Sequence, residues 1–227
     1  MELNSEQIEF LNKCTINSQF TVDPIITEWT LNEKTGLVDI EGDFSCYHVY
    51  GFFDLTDFKG VRFGVVTGDF WCSDNKLTSL DGAPHEVGGD FICRINKITS
   101  LVGAPQKVGG FFDCSRNELA SLVGAPQEVG GPFDCGDNKL TSLEGAPQEV
   151  GGHFRCWGKG NQISYETLDL VWETMQKNKI DYWTALSALK NLIESDDWEK
   201  MSIGLDERLS KDAQKGISMM GRFGIFE

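Results

Sequence analysis

VGGDFICRINKITSLVGAPQK, residues 87–107, decides the fold because the chain repeats it with regular spacing. Full copies begin at Val66, Val108 and Val129, and a truncated copy begins at Val150. The four full units have the same residue at ten of their 21 positions. A repeat of this length with a Phe-x-Cys-x-x-Asn-x-Leu core is typical of a solenoid, in which successive turns stack on one another.

Two invariant positions, Phe and Cys, are separated by one residue in every unit. Because side chains alternate along a strand, both face the same side, which we expect to be the interior of the coil. Stacked turns then place these short strands side by side in a parallel sheet, with neighbours about 4.8 Å apart. The Phe positions are Phe70, Phe91, Phe112, Phe133 and Phe154, and the Cys positions are Cys46, Cys72, Cys93, Cys114, Cys135 and Cys156.

The other invariant positions predict the rest of each turn. A buried Asn side chain can bond the backbone of a turn that lacks a ladder partner, so these residues predict a stacked column of amides. Leu and Ile fill the remaining core, Gly-Ala-Pro turns the convex side without a helix, and the Gly pairs permit close backbone approach. The Asn positions are Asn75, Asn96, Asn117 and Asn138.

These units resemble the short bacterial type of leucine-rich repeat, and they are especially similar to the LTSLxGAPxxVGGxFxC arrays of tailed phages and bacteria. The resemblance covers roughly residues 27–165. It implies a leucine-rich repeat β-solenoid with a short parallel β-sheet on its concave face and a non-helical convex side, but it implies function only weakly. The first unit departs from the pattern, with Val49 in place of Asn and a longer stretch at 50–64, and the last unit is lengthened before Asn161.

Both ends of a solenoid expose its core unless they are capped, and the flanking sequences fit that role. Residues 1–39 predict an N-terminal cap made of a helix at Glu6–Cys14 and a hairpin. Residues 40–163 predict about six turns, and 164–227 predict a C-terminal helical subdomain, through which the chain could also form an oligomer. The first expected helix starts at Ser164, a second covers about 181–194, and a weaker one lies near 205–217.

The chain is acidic, with a formal net charge of −15 at pH 7. This charge disfavours direct binding to nucleic acid and to anionic membranes, because the electrostatic term has the wrong sign. We see neither a secretory signal nor a run of about 18 apolar residues that could span a membrane. Five cysteines at intervals of 21 residues form a repeat column and not a disulfide framework. We therefore expect a cytoplasmic protein, in the host cytoplasm if it is encoded by a phage.

The variable positions beside Phe and Cys face away from the core and form the concave surface. Aromatic and Arg side chains lie there surrounded by carboxylates, a combination typical of protein interfaces. The alternative is that repeat drift placed them and the chain's own tail covers them. Trp157 shares this surface at the end where the helices are expected to dock. The candidate partner-binding residues are Asp69, Trp71, Asp90, Ile92, Arg94, Phe111, Asp113, Asp134, His153 and Arg155.

No residue pattern indicates catalysis, a metal or a cofactor. The three histidines, His48, His85 and His153, lack metal-ligand spacing, and a lone histidine on such a face is more often a hydrogen-bonding contact. Some bacterial leucine-rich repeat proteins carry a ubiquitin-ligase domain whose nucleophile is a cysteine after the repeats, but none follows Cys156. We therefore expect a non-enzymatic protein.

The expected function is recognition of a host protein through the concave face, by a protein that a phage or a bacterium encodes. One form of this function is inhibition of a bacterial enzyme, such as an antiphage defence factor. Two alternatives stay open: an acidic mimic of nucleic acid that blocks a basic nucleic-acid-binding protein, and a structural protein of the phage particle. A second contact surface, formed by the 50–64 loop or by the helical tail, also stays open.

Overall fold

The computed structural model describes residues 2–16, 28–46, 57–189, 192–193 and 195–201. The repeats form a β-solenoid whose turns stack in register. The helices are α1 (Ser5–Ile16), α2 (Tyr165–Asn178), α3 (Tyr182–Ala188) and α4 (Ser195–Met201). The strands are β1 (Glu28–Leu31), β2 (Val38–Glu41), β3 (Phe44–Ser45), β4 (Phe63–Val66), β5 (Phe70–Trp71), β6 (Glu86–Val87), β7 (Phe91–Ile92), β8 (Lys107–Val108), β9 (Phe112–Asp113), β10 (Glu128–Val129), β11 (Phe133–Asp134), β12 (Glu149–Val150) and β13 (Phe154–Arg155).

Each turn contributes two short strands, which lie in two different sheets. One sheet has seven strands, ordered β1-β2-β4-β6-β8-β10-β12, and we name it the valine sheet because its last five strands end at Val. The strand that begins at Phe joins a six-stranded sheet, ordered β3-β5-β7-β9-β11-β13, which we name the phenylalanine sheet. Apart from the antiparallel β1–β2 pair, the pairs are parallel, and equivalent residues of successive repeats, such as Phe91 and Phe112, are register partners.

The valine sheet is the main difference from the predicted fold. The sequence predicts one sheet, at the Phe and Cys positions, and does not predict strands at Val. Such a strand covers only two residues, as in Glu128–Val129, and the Gly pair ends it, so no alternating pattern marks it in the sequence. Its inward side chains, such as Val108 and Val129, are buried. In the described repeats the convex segment, from Asn to Gly-Ala-Pro, contains no helix, as predicted.

A column of stacked phenylalanine rings forms the centre of the core. From Phe44 to Phe154, neighbouring ring centroids lie between 4.9 and 5.5 Å apart, and their planes differ by 3° to 19°. Each such pair contributes about 0.5–1.5 kcal/mol beyond the burial of its surface. The cysteines of the repeats are buried as free thiols in the same core. The invariant Phe and Cys positions therefore hold successive turns in register.

The asparagine column predicted from the repeats is confirmed. Nδ2 of Asn96 donates to the carbonyl oxygens of Cys72 and Cys93, both at 3.0 Å. Its Oδ1 accepts from the backbone N–H of Leu77 at 3.0 Å. The next two turns repeat this pattern. Each amide thus links two turns at the point where the chain leaves the phenylalanine sheet and has no ladder partner.

The Gly pair lets successive turns approach closely at the corner between the two sheets. A Cβ atom on Gly109 would overlap the carbonyl oxygen of Gly88, and one on Gly130 would overlap the carbonyl oxygen of Gly109. The second glycines continue the ladder, since the N–H of Gly110 donates to the carbonyl oxygen of Gly89 at 2.9 Å. Glycine is therefore required here because there is no space for a side chain.

The N-terminal helix covers the first turn. Phe10 of α1 packs edge-on against Phe44, with centroids 5.8 Å apart and planes at 72°. Leu11 and Cys14 are buried beside it. Phe58, from the longer first repeat, is also buried in the core. The other part of that irregular repeat, residues 47–56 with Val49, lies outside the described residues.

Helix α2 crosses the end of the last turn. Trp172 stacks on Phe154, with ring centroids 3.8 Å apart and planes at 13°. One helical turn later, Nε2 of Gln176 donates to the carbonyl oxygen of Gln148 at 3.3 Å, next to the start of β12. Ser164 caps the helix, since its side chain accepts from the N–H of Thr167. Helix α2 thus contacts the last turn at both sheets.

Two short helices follow α2. The helix predicted at about 181–194 corresponds to α3, which ends at Ala188, and α4 was not predicted. Residues 202–227, including the helix predicted near 205–217, lie outside the described residues. In the described part of the chain, no helix is long and apolar enough to span a membrane.

Candidate binding face

The outward side of the phenylalanine sheet, which we name the binding face, carries all ten predicted partner-binding residues. Its central row holds the residue between Phe and Cys of each turn, and its two flanking rows hold the residue before Phe and the residue after Cys. Because neighbouring strands lie about 4.8 Å apart, residues of adjacent turns are neighbours in each row. The central row is Ser45, Trp71, Ile92, Asp113, Asp134 and Arg155. One flanking row is Asp43, Asp69, Asp90, Phe111, Pro132 and His153, and the other, among the described residues, is Ser73, Arg94, Ser115, Gly136 and Trp157.

Three apolar side chains, which we name the apolar patch, occupy successive turns of this face. Trp71 and Ile92 are register partners, and Phe111 immediately precedes β9 in the next turn. All three side chains are half-buried. Their backbone belongs to the ladder, since the N–H of Phe91 donates to the carbonyl oxygen of Phe111 at 2.8 Å. The patch is therefore presented by a rigid part of the fold.

The aspartates of one flanking row form a hydrogen-bonded column. Oδ1 of Asp43 accepts from the N–H of Asp69 at 2.8 Å, and Oδ1 of Asp69 accepts from the N–H of Asp90 at 2.7 Å. Oδ1 of Asp90 accepts from the N–H of Phe111, also at 2.7 Å. Burial, followed by the charges of Asp90 and Asp43, raises the pKa of Asp69, while the bond from the Asp90 N–H opposes this shift. Asp69 and Asp90 thus link turns as well as facing outward.

The column ends where the sequence changes to Phe and Pro. Phe111 has no carboxylate to accept from the next turn, and the residue in the next turn is Pro132, which has no N–H to donate. The replacement of Asp by Phe therefore leaves no unpaired donor at this position. The two changes together allow an aromatic side chain on the face without disturbing the stack.

Asp113 and Asp134 bond within their own turns. Asp113 is buried and accepts from the N–H of Ser115 at 3.0 Å and from its Oγ at 2.6 Å. Nε of Arg94, one turn earlier, lies 4.0 Å from its Oδ2. Asp134 accepts from the N–H of Gly136 at 2.9 Å. Burial raises the pKa of Asp134, and the charge of Asp113 adds to this shift. Asp113 therefore contributes mainly to the local fold and offers little surface to a partner.

The far end of the face is exposed and carries an arginine, a histidine and a tryptophan. Arg155 and His153 are exposed, and Trp157 is 57% exposed. Trp157 is missing from the predicted binding residues because the helices were expected to cover it. Helix α2 instead meets the last turn at Phe154, so Trp157 joins the candidate surface.

The core thiols and the polar groups of the face do not form a reactive cluster. Burial raises the pKa of Cys93, Cys114 and Cys135 well above the usual value, so these thiols are neutral at physiological pH. Within the ranges that the structure describes, no group of three or more His, Cys, Asp and Glu side chains could hold a metal ion. The chemistry offered by the face is apolar contact, hydrogen bonding and charge pairing.

The chain matches no protein-family model, no curated protein and no solved structure. Its repeats and helices are therefore not assigned to a family by similarity, and what the chain binds is inferred from its own residues.

Proposed function

We propose that this chain is a non-enzymatic recognition protein that binds one protein partner through the binding face. We further propose that its repeats are of the short bacterial and phage leucine-rich type, and that the C-terminal helices form a subdomain that closes the last turn. The observation that carries the function is the apolar patch, in which Trp71, Ile92 and Phe111 are held half-exposed in successive turns.

The patch has the properties of an interface anchor. Large aromatic side chains dominate the energetics of protein interfaces when they fill pockets of the partner. A ladder that fixes the backbone reduces the conformational entropy that binding would otherwise remove. Arg94 lies beside the patch, and Arg155 and His153 lie at the far end, where they supply polar contacts. The face thus presents Trp71, Ile92 and Phe111 at one end and Arg155 and Trp157 at the other, and this difference would orient a partner along the stack.

The sharper form of this proposal is inhibition of a bacterial enzyme by a phage- or bacterium-encoded protein in the cytoplasm. The resemblance of the repeats to phage arrays motivates it. A rigid face that covers the active or assembly surface of an enzyme needs no chemistry of its own, which agrees with the absence of a catalytic pattern in the sequence. The partner would be a single host protein.

Mimicry of nucleic acid is less well supported than recognition through the patch. A mimic needs rows of carboxylates that are free to meet basic residues. Here Asp69 and Asp90 each bond the next turn through Oδ1, and Asp113 is buried among its own partners. These side chains bond within the fold, whereas the side chains of the apolar patch are left half-exposed.

The test is affinity capture from bacterial lysate with wild-type protein and Trp71→Glu, read by mass spectrometry. A matched control is Val65→Glu, since Val65 is a 41% exposed valine of the other sheet. We expect one stoichiometric partner that Val65→Glu retains and Trp71→Glu loses. A partner that all three proteins retain at low salt and lose at high salt would instead support acidic mimicry.

A further inference from the structure

A groove of about 670 Å³ lies between the wall of the last repeats and the α2–α3 connection, on residues outside the binding face. The solenoid side contributes Val123, Ala146 and Pro147, and the helical side contributes Met175 and Ile180. This volume lies within the usual range of ligand-binding clefts, about 300–1,000 Å³. The other lining residues include the polar and charged side chains Gln127, Glu144, Gln148, Glu149, Gln176, Lys179 and Asp181. The groove therefore has the size and the mixed apolar and polar lining of a binding site.

Both sides of the groove are fixed by hydrogen bonds. Nε2 of Gln176 donates to the carbonyl oxygen of Gln148 across the groove's inner end at 3.3 Å. The hydroxyl of Tyr182 donates to the carbonyl oxygen of Met201 at 3.2 Å. Asp181 caps α3, since its Oδ1 accepts from the N–H of Thr184 at 3.0 Å. These bonds keep the groove open in the folded chain, so a ligand would enter a preformed site.

The apolar lining continues onto the solenoid surface. Val123 is 43% exposed, and Val102, at the equivalent position one turn earlier, is 63% exposed. Exposed valines at one position of two neighbouring turns form a stripe that leads into the groove. A stripe of this kind suits an extended segment that runs across successive turns, and not a compact small molecule.

The outer rim of the groove is acidic. Glu149 lines it, and its register partner in the preceding turn is Glu128. Both are exposed, and neither forms an ion pair with a cation among the described residues. Lys107 is the register partner of Glu128 on its other side, but it forms an ion pair with Glu86, with Nζ 3.8 Å from Oε1. Because like charges side by side on a sheet repel, a cation brought by a ligand would relieve this pair.

We propose that the groove binds an extended peptide segment of a second protein, with apolar side chains in the groove and a lysine or arginine at the Glu128–Glu149 rim. The occupant is a basic segment because three carboxylates, Glu144, Glu149 and Asp181, line the groove with one cation, Lys179. A second copy of this chain fits less well, since each copy has a net charge of −15 and would repel the other. The groove is separate from the binding face, so this proposal does not depend on the proposed function.

The test measures fluorescence anisotropy of a labelled eight-residue peptide of alternating lysine and leucine, titrated with the full chain. A peptide with glutamate in place of lysine serves as the reference. We expect saturable binding of the lysine peptide, at least about tenfold weaker in Glu149→Lys and in Val123→Asp. The matched charge control is Glu41→Lys, which changes an exposed glutamate of the valine sheet whose register partner is Glu28. It should stay within about twofold of wild type.

Three results would overturn the proposal. Equal weakening in Glu149→Lys and Glu41→Lys would show that the peptide is attracted by the acidic chain as a whole. Equal binding of the lysine and glutamate peptides, or saturable binding of neither, would contradict the claim that the groove binds a basic segment. A dimer in equilibrium sedimentation that Val123→Asp dissociates would assign the groove to a second copy of the chain.

Discussion

Trp172 stacks on Phe154 with ring centroids 3.8 Å apart, and so continues the column of phenylalanine rings by one more aromatic ring. In every inner turn the ring is covered by the phenylalanine of the next turn, but Phe154 is the last of the column. The indole of α2 takes the place of that missing ring. The helices that follow the repeats therefore complete the core of the solenoid.

The first prediction concerns this contact. Trp172→Ala should lower the free energy of unfolding by about 3–5 kcal/mol, because it removes a large buried ring and uncovers Phe154. Trp157→Ala is the matched control: its indole is 57% exposed, so the change should stay within about 0.5 kcal/mol. Urea unfolding measures both. Equal and small effects would show that the repeats do not need α2 to close the last turn.

The second prediction concerns the asparagine column. Asn117→Ala leaves the N–H of Ile98 without its partner. It also removes one of the two amide donors to each of the carbonyl oxygens of Cys93 and Cys114, which keep Asn96 and Asn138. A buried N–H left unpaired costs about 1–3 kcal/mol and each lost hydrogen bond about 0.5–1.5 kcal/mol, so the variant should lose at least about 2 kcal/mol of stability. Glu118→Ala, at the exposed neighbouring position, should change little. Thermal unfolding of Asn117→Ala that matches Glu118→Ala would contradict a linking role for the amide.

The third prediction concerns a strained turn. Ile95 has φ of 56°, in the left-handed region that β-branched residues avoid, whereas the equivalent Asp74 has φ of 53° and is a tolerated residue type there. Ile95→Asn should therefore raise the free energy of unfolding by about 1 kcal/mol. Asp74→Ile should lower it by a similar amount. Denaturant midpoints that move in the opposite directions would contradict strain at this position.

The fourth prediction concerns pH. The pKa of Asp69 is raised above its ordinary value of 3.8, chiefly by burial. Its contribution to stability is therefore fully present below pH 3.8 and is lost as the pH rises through the raised pKa. Asp69→Asn keeps an oxygen acceptor for the N–H of Asp90 but carries no charge. It should be more stable than wild type at pH 7, and this advantage should shrink as the pH falls through the raised pKa.

Stability of Asp69→Asn below wild type across this range would show that the charge itself holds the column together. Asp69→Ala provides the control for the hydrogen bond. It loses the acceptor as well as the charge, so it should be less stable than Asp69→Asn at every pH.

Invariant residues made most of the solenoid predictable. Phe91 and Cys93 lie two residues apart on a strand, and Asn96 follows them, so their inward positions follow from alternation alone. The valine sheet could not be predicted in this way, because two residues between Pro-Gln and Gly-Gly carry no periodic signal. It becomes visible only when the turns are stacked.

The candidate site was predictable in its residues but not in their bonding. Trp71 and Phe111 follow from their place beside inward Phe residues. The bond from the Asp90 N–H to Asp69 depends on the distance between turns, which no single repeat shows. The exposure of Trp157 depends on the path of α2, which the helical pattern does not fix. The invariant positions therefore predicted the stacking of the turns, whereas the bonds of the variable Asp residues and the path of α2 were not predicted.

Recognition through the apolar patch is tested most directly by the affinity of the captured partner, measured by calorimetry for wild type, Trp71→Glu and Phe111→Arg. We predict that each substitution weakens binding by at least about 30-fold, the effect of losing an interface hot spot, while the melting temperature stays unchanged. An unchanged affinity in both variants would contradict the proposed face.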